Sequence, residues 1–180
     1  MQVGLTGLNC EEHLTKPFEF LLKRGNQPPE PRTIAPEDIR ALLEAGMAAP
    51  SAAPVKPWHF VTIANRFRLQ ALGAAHTHGA MLAESALAIA VCADPEITGG
   101  NWSHEVSGVT QNILLAAVSL GLGTIWIGSH PSEERKAAIR KVLAIPDSVD
   151  VLGLVAIGYP SSGKPARAEF HEGRVHEEEW

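Results

Sequence analysis

Apolar positions along the chain recur with two different periods, and the contrast between them lays out the elements. From Val106 they return at Val109, Ile113, Ala116, Ala117 and Leu120, the spacing of one helix face, while Leu114, Leu115 and Val118 fill other faces. A helix apolar on so many sides is buried nearly all round. Gly121-Leu122-Gly123 follows at once and can supply the positive φ angles that end a helix tightly. Thr124 to Ile127 is then a β-branched and aromatic run suited to a strand. The pattern predicts a central helix that turns directly into a buried strand.

The same reading covers the rest of the chain. Asn9 with Glu12 resembles a capping box before a helical face of Leu14, Phe18, Leu21 and Leu22, which ends near Lys23-Arg24-Gly25. Pro28, Pro29 and Pro31 make the next stretch an extended connection. Pro36-Glu37-Asp38 opens a helix with Ile39, Leu42, Leu43 and Met47 on its core face, stopping before Pro50. The segment from Ala49 to Trp58 holds three prolines and is an ordered loop feeding a strand from His59 to Ala64. A helix starts at Arg66, a second buried strand runs from Ala86 to Val91, and a surface loop spans Asp94 to Asn101. Ser132 caps a helix carrying Ala137, Ile139, Val142 and Leu143, and Val151 to Ile157 is a further strand. Alternating helices and strands favour a sheet covered by helices on both faces.

Composition narrows the setting. The 180 residues suffice for one well-buried core, so residues 1–180 are expected to form a single domain with an N-terminal arm at 1–8 and a polar C-terminal extension at 161–180 that packs on a partner subunit. Hydrophobic residues at 45% leave a surplus for such an interface. A formal charge of −5 argues against nucleic acid or an anionic membrane as the main partner. No apolar run approaches the length of a membrane span, and Cys10 and Cys92 lack any ligand or disulfide spacing, which suits a cytoplasmic protein.

Local motifs nominate no protein nucleophile. Gly158 to Lys164 has the GxxxxGK spacing of a phosphate loop, but Pro165 follows where a hydroxyl is needed. His76-Thr77-His78 has no acid or cysteine nearby and is expected to be solvated surface rather than a metal site. No GxSxG elbow is present. If the chain is an enzyme, a bound cofactor carries its chemistry.

The ordered segments as a set resemble the nitroreductase family of FMN-dependent oxidoreductases, from about Phe18 onward. The resemblance rests on Ala49-Pro50-Ser51-Ala52 through Pro57-Trp58-His59-Phe60-Val61, on Thr110-Gln111-Asn112-Ile113-Leu114-Leu115-Ala116-Ala117, on Leu120 to Gly128, and on Ile145-Pro146 and Ala156 to Pro160. It implies an α+β fold with a central mixed β-sheet flanked by helices, an intertwined homodimer, FMN at the subunit interface and NADH or NADPH as electron donor. A small electrophilic acceptor such as a nitroaromatic or quinone is implied as oxidant. Flavin N5, not a side chain, is the implied reacting centre.

Site residues follow from the same resemblance. The family's basic phosphate segment falls on Lys23, Arg24, Gly25 and Gln27, where Arg24 persists and Lys23 keeps the charge, but a serine hydroxyl and a final arginine are replaced. Lys164 and Arg167 resemble its second phosphate contact. Pro50, Ser51 and Ala52 resemble a loop given to the flavin of the opposite subunit, with Pro54 and Lys56 at positions where the family has asparagine and glutamine. Lys56 would place a cation near the flavin's pyrimidine edge. Trp126, Ile127, Gly128 and Ser129 are implied to line the isoalloxazine, with the N–H of Gly128 or Ser129 reaching N5 or O4. The departures leave two further readings open, a same-fold flavoprotein with other redox chemistry and a non-catalytic dimer that has lost FMN.

Overall fold

The computed structural model describes residues 29–30, 32–52, 55–98, 101–160 and 171–180. In chain order it forms β1 (Pro29–Glu30), α1 (Pro36–Met47), β2 (Trp58–Ile63), α2 (Arg66–Ala74), α3 (Ala80–Glu84), β3 (Leu87–Ala93), α4 (Pro95–Thr98), α5 (Trp102–Ser119), β4 (Gly123–Gly128), α6 (Glu133–Leu143) and β5 (Asp150–Pro160), with a 3₁₀ turn at Glu172–Arg174. The strands lie in the order β4-β5-β3-β2, and β1 pairs with the last residues of β5. The two central strands, β3 and β5, are apolar on both faces because helices cover both.

The period of two divides β3 between two cores. Leu87, Ile89 and Val91 join Leu42 of α1 and Val106, Val109, Ile113 and Leu114 of α5 on one face. Ala88, Ala90 and Cys92 join Leu69 and Leu72 of α2, Leu82 of α3 and Ile139 of α6 on the other. Every pairing among the described residues is antiparallel. The α+β class stands, but the mixed character expected of the sheet has no counterpart in them. The register shows how: Ile63 lies opposite Ala88 and Gly128 opposite Gly153, so the α2–α3 and α6 connections return the chain to the end of the sheet it left, whereas α5 carries it from Ala93, opposite Asp150, across to Gly123, opposite Gly158, and sets β4 beside β5 rather than beside β3.

The passage from α5 to β4 follows the sequence pattern closely. Gly121 has φ +71, its N–H bonds the Val118 carbonyl at 3.1 Å, and the Leu122 N–H bonds the Ala117 carbonyl at 2.8 Å. These two bonds are a Schellman cap, which closes the helix and aims the chain back along it. Gly123, by contrast, sits in β4 without positive φ. Helix α5 is less enclosed than its composition suggested. Its buried face is Trp102, Val106, Val109, Thr110, Ile113, Leu114 and Ala117, whereas Gly108, Leu115 and Val118 are only partly covered and Gln111 is exposed. The sheet and α1 cover two sides, and no described element covers the third.

Charged groups secure α6 to the foot of β5. Lys136, only 3% exposed, sets its ammonium 2.9 Å from Asp150 and 2.5 Å from Glu133, and Arg140 lies 2.9 Å from Asp150. Burial, the largest influence, pushes the Lys136 ammonium down, but its hydrogen bonds and charge pairing with Glu133 and Asp150 outweigh it and hold the group above the ordinary lysine value.

Cys92 lies nearby, and burial pushes its thiol up to about 12, with Arg140 lowering and Asp150 raising it by less. A folded value above the ordinary 9.0 means that the unfolded chain loses this proton first. The resulting stability is complete below pH 9 and is lost as pH rises toward 12. Urea unfolding across this range should show wild type losing up to about 1.4 kcal/mol per pH unit more than Cys92→Ala. Parallel curves for the two proteins would show that the thiol is not protected.

Candidate functional site

Hydrogen bonding in β4 determines which of its backbone groups are available. The Ser129 N–H bonds the Leu152 carbonyl at 3.0 Å, and the Ala86 N–H bonds the Ile157 carbonyl at 3.1 Å. Even residues of β5 therefore face β4, and odd ones face β3. Pairs in an antiparallel ladder alternate between bonded and non-bonded, so Gly123, Ile125 and Ile127 bond β5 while Thr124, Trp126 and Gly128 turn their N–H and C=O groups to the outer edge. At that edge the Gly128 carbonyl is 2.9 Å from Nε2 of His76. The Gly128 N–H is left facing outward.

The space beside this N–H is open. Gly128 is exposed, and a Cβ built on it meets no atom within 4 Å. Trp126, two residues earlier and on the same face, has a buried indole N–H with no partner among the described residues. Gly153 lies across from Gly128, and there a Cβ would come within 2.5 Å of the Ile127 carbonyl and 3.0 Å of the Trp126 indole nitrogen. Glycine at 153 thus lets β5 and the indole approach; glycine at 128 opens space toward solvent.

A second segment reaches the same end of α5. Ser51 donates its hydroxyl to Glu105 at 2.9 Å, and the Ala52 N–H donates to the other oxygen of that carboxylate at 3.2 Å. Glu105 stands in the first turn of α5, one turn from Trp102, whose ring meets His130 edge-on at 4.9 Å between centroids. The proline-serine loop and the end of β4 therefore both converge on the N-terminal end of α5. A cavity of about 170 Å³ lined by Thr33, Ile34, Ile39 and Arg66 lies at the opposite end of the sheet. Its arginine is spent on the Ser85 carbonyl at 2.8 Å.

Several residues expected from the sequence take definite roles. Trp126 and Gly128 meet at the open edge. Ile127 contributes backbone only, because its side chain is buried among the α2 and α6 side chains. Ser129 is fully engaged, with its hydroxyl donating to the Val151 carbonyl at 3.0 Å and its N–H to Leu152, so only Gly128 of the two offers a free N–H. Pro50 is exposed beside Ser51 and Ala52. Lys56 donates to the Met47 carbonyl at 2.5 Å, where an ammonium complements the C-terminal end of α1. Lys23, Arg24, Gly25, Gln27, Pro54, Lys164 and Arg167 lie outside the described residues.

His76 departs from its expected place. It is 6% exposed rather than solvated, because the turn between α2 and α3 folds it against the end of β4. Sequence reasoning also passed over Glu105, whose only local signal is a carboxylate in a helix's first turn. Among the described residues no group of three or more His, Cys, Asp or Glu could hold a metal ion, and no helix is long and apolar enough to cross a membrane.

Comparison with known proteins adds a family context. A model described as the nitroreductase family matches residues 29–102 and 102–159. A protein of Archaeoglobus fulgidus named "Putative NADH dehydrogenase/NAD(P)H nitroreductase" is 42% identical over 155 residues, covering 83% of this chain and 89% of that protein. A crystal structure under the same name from Parabacteroides distasonis is similar with a TM-score of 0.89 and 32% identity, covering 92% of this chain and 99% of that one. A structure from Clostridium difficile called an FMN-dependent nitroreductase is similar with a TM-score of 0.84 and 27% identity, covering 89% of this chain and 98% of that one.

Proposed function

The chain belongs to the nitroreductase family, and on that premise we propose that it is an FMN-dependent reductase that passes electrons from NADH or NADPH to a small electrophilic acceptor such as a nitroaromatic or quinone. The observation that carries this reading is the open edge of β4. An outward N–H at Gly128 and free space where its Cβ would be, beside the Trp126 ring, suit the polar edge of a planar ring. FMN held there would supply the redox chemistry, hydride acceptance from a reduced nicotinamide and electron donation to the acceptor.

The chain's own groups bind and orient. Gly128 offers the donor, Trp126 forms the wall beside it, and the Ser51-Ala52 backbone is held in shape by Glu105 for use by the neighbouring subunit's site. Lys23, Arg24, Lys164 and Arg167 supply positive charge for the phosphate. Donors fixed before the ligand arrives need no reorganisation on binding.

The reading includes a homodimer. Gly108, Gln111, Leu115 and Val118 form the uncovered flank of α5, and Met47, Val55, Val175 and Trp180 are exposed large hydrophobic residues. A Cβ at Gly108 meets nothing within 4 Å, so its place in a helix interior is explained by a second chain approaching there. Gly108→Leu should leave the helical circular dichroism unchanged and weaken dimerisation by about ten- to a hundredfold, the cost of over-packing a close contact. Sedimentation velocity across a dilution series checks this, and an unchanged dimer would place the contact elsewhere.

The activity is tested by mixing FMN-loaded protein anaerobically with NADH or NADPH and then with a quinone. The yellow absorbance should bleach and then return. Protein that holds FMN but is bleached by neither nicotinamide would contradict the proposed donor.

A further inference from the structure

His76 lies between two hydrogen bonds that together fix its proton. The His78 N–H points at its Nδ1 from 3.1 Å, and a backbone N–H can only donate, so Nδ1 carries no hydrogen. The ring proton is therefore on Nε2 and is donated to the Gly128 carbonyl at 2.9 Å. The turn that carries the ring is tight: the Gly79 N–H bonds the His76 carbonyl at 2.8 Å, and a Cβ on Gly79 would come within 2.5 Å of the Gly73 carbonyl. A buried side chain on so confined a turn has little freedom to move away.

The Gly128–Ser129 peptide is consequently held at both ends. Its oxygen accepts from His76, and its N–H donates to Leu152. Glycine at a strand end would otherwise rotate more freely than any other residue. The Gly128 N–H belongs to the preceding peptide, whose Ile127 carbonyl is bonded to β5, so rotation about Gly128 is restrained by a fixed peptide on either side.

We propose that His76 is a positioning residue for the flavin site, a neutral imidazole that fixes the Gly128–Ser129 peptide and so, together with the Ile127 carbonyl bonded to β5, limits rotation at Gly128 and the swing of its N–H. The proposal rests on the reading that Gly128 meets FMN. His76 touches no reacting atom; its influence passes through the Gly128 backbone. Its replacement therefore alters flavin affinity and potential together, whereas a merely structural residue would change stability alone.

Two measurements separate the claims. In flavin-free wild-type protein, nitrogen-15 resonances of the His76 ring should report a bare Nδ1 and a protonated Nε2; a proton on Nδ1 overturns the proposal without need of any variant. The Gly128 and Ser129 amide resonances should shift or broaden in His76→Leu and return in His76→Gln, whose amide can still donate. In FMN-loaded protein, His76→Leu should bind FMN about five- to tenfold more weakly, the worth of one hydrogen bond, and show an altered reduction potential, with His76→Gln recovering both. Equal affinity and potential in all three proteins overturns the proposal. Wild type that binds no FMN overturns the flavin reading instead, and the flavin-free spectra still decide whether His76 fixes the peptide.

Discussion

Replacing Gly128 by valine should leave the folded chain as stable as wild type while reducing its affinity for FMN by about a hundredfold or more. The two halves of that expectation come from different observations. Stability is spared because nothing in the protein lies within 4 Å of the added Cβ, and a β-branched residue suits an edge strand. Surface changes of this kind fall within about 0.5 kcal/mol. Affinity is lost because the side chain enters the space assigned to the ring and crowds the outward N–H, and roughly 3 kcal/mol of displaced contact corresponds to about a hundredfold. Urea unfolding of the flavin-free protein checks the first half and an FMN fluorescence titration the second. Equal affinity would remove Gly128 from the site, and a large loss of stability would make it a packing glycine like Gly153.

Asp150→Ala should have the largest effect on folding, about 3 kcal/mol, because it strands a buried lysine. Asp150 receives Lys136 and Arg140 and also accepts the Val151 N–H at 3.1 Å. Without it Lys136 keeps only Glu133, a carboxylate that is 76% exposed. Adding Lys136→Met should recover much of the loss, since an apolar side chain of similar size suits the α6 seat better than an unpaired ammonium. Equilibrium urea unfolding of the two variants measures this. A double variant no more stable than Asp150→Ala would show that the Arg140 contact, not the stranded ammonium, dominates. The Lys136 ammonium is held above its ordinary value, so its pairing is complete at neutral pH and fades only as pH rises through the raised folded value.

What could be read from the sequence depended on how far apart the interacting residues lie. The helix from Val106, the glycine turn and the strand after it were legible because each is set by its own neighbours, and so was the Ser132 cap, which accepts the Arg135 N–H at 3.4 Å. Helix α3 was missed because five residues are too few to show a period. The pattern marks the flank of α5 as apolar but not what covers it, because Leu115 and Val118 are as apolar as their buried neighbours and hydrophobicity does not say which chain provides the cover. His76 looked like surface beside His78, yet its partner is 52 residues away; Glu105 and Ser51 are 54 apart. Contacts at that range are made by the fold and leave no local signature. Family resemblance nominates Trp126 to Ser129, and the structure distinguishes among them, engaging Ser129 and leaving Gly128 open.

The claim that FMN occupies the edge of β4 is tested most directly by the flavin content of the purified chain. The protein should be yellow and, on denaturation, release FMN at about one molecule per chain, with Gly128→Val prepared alongside emerging colourless but folded. A colourless, folded wild-type protein that FMN cannot reconstitute would contradict the account.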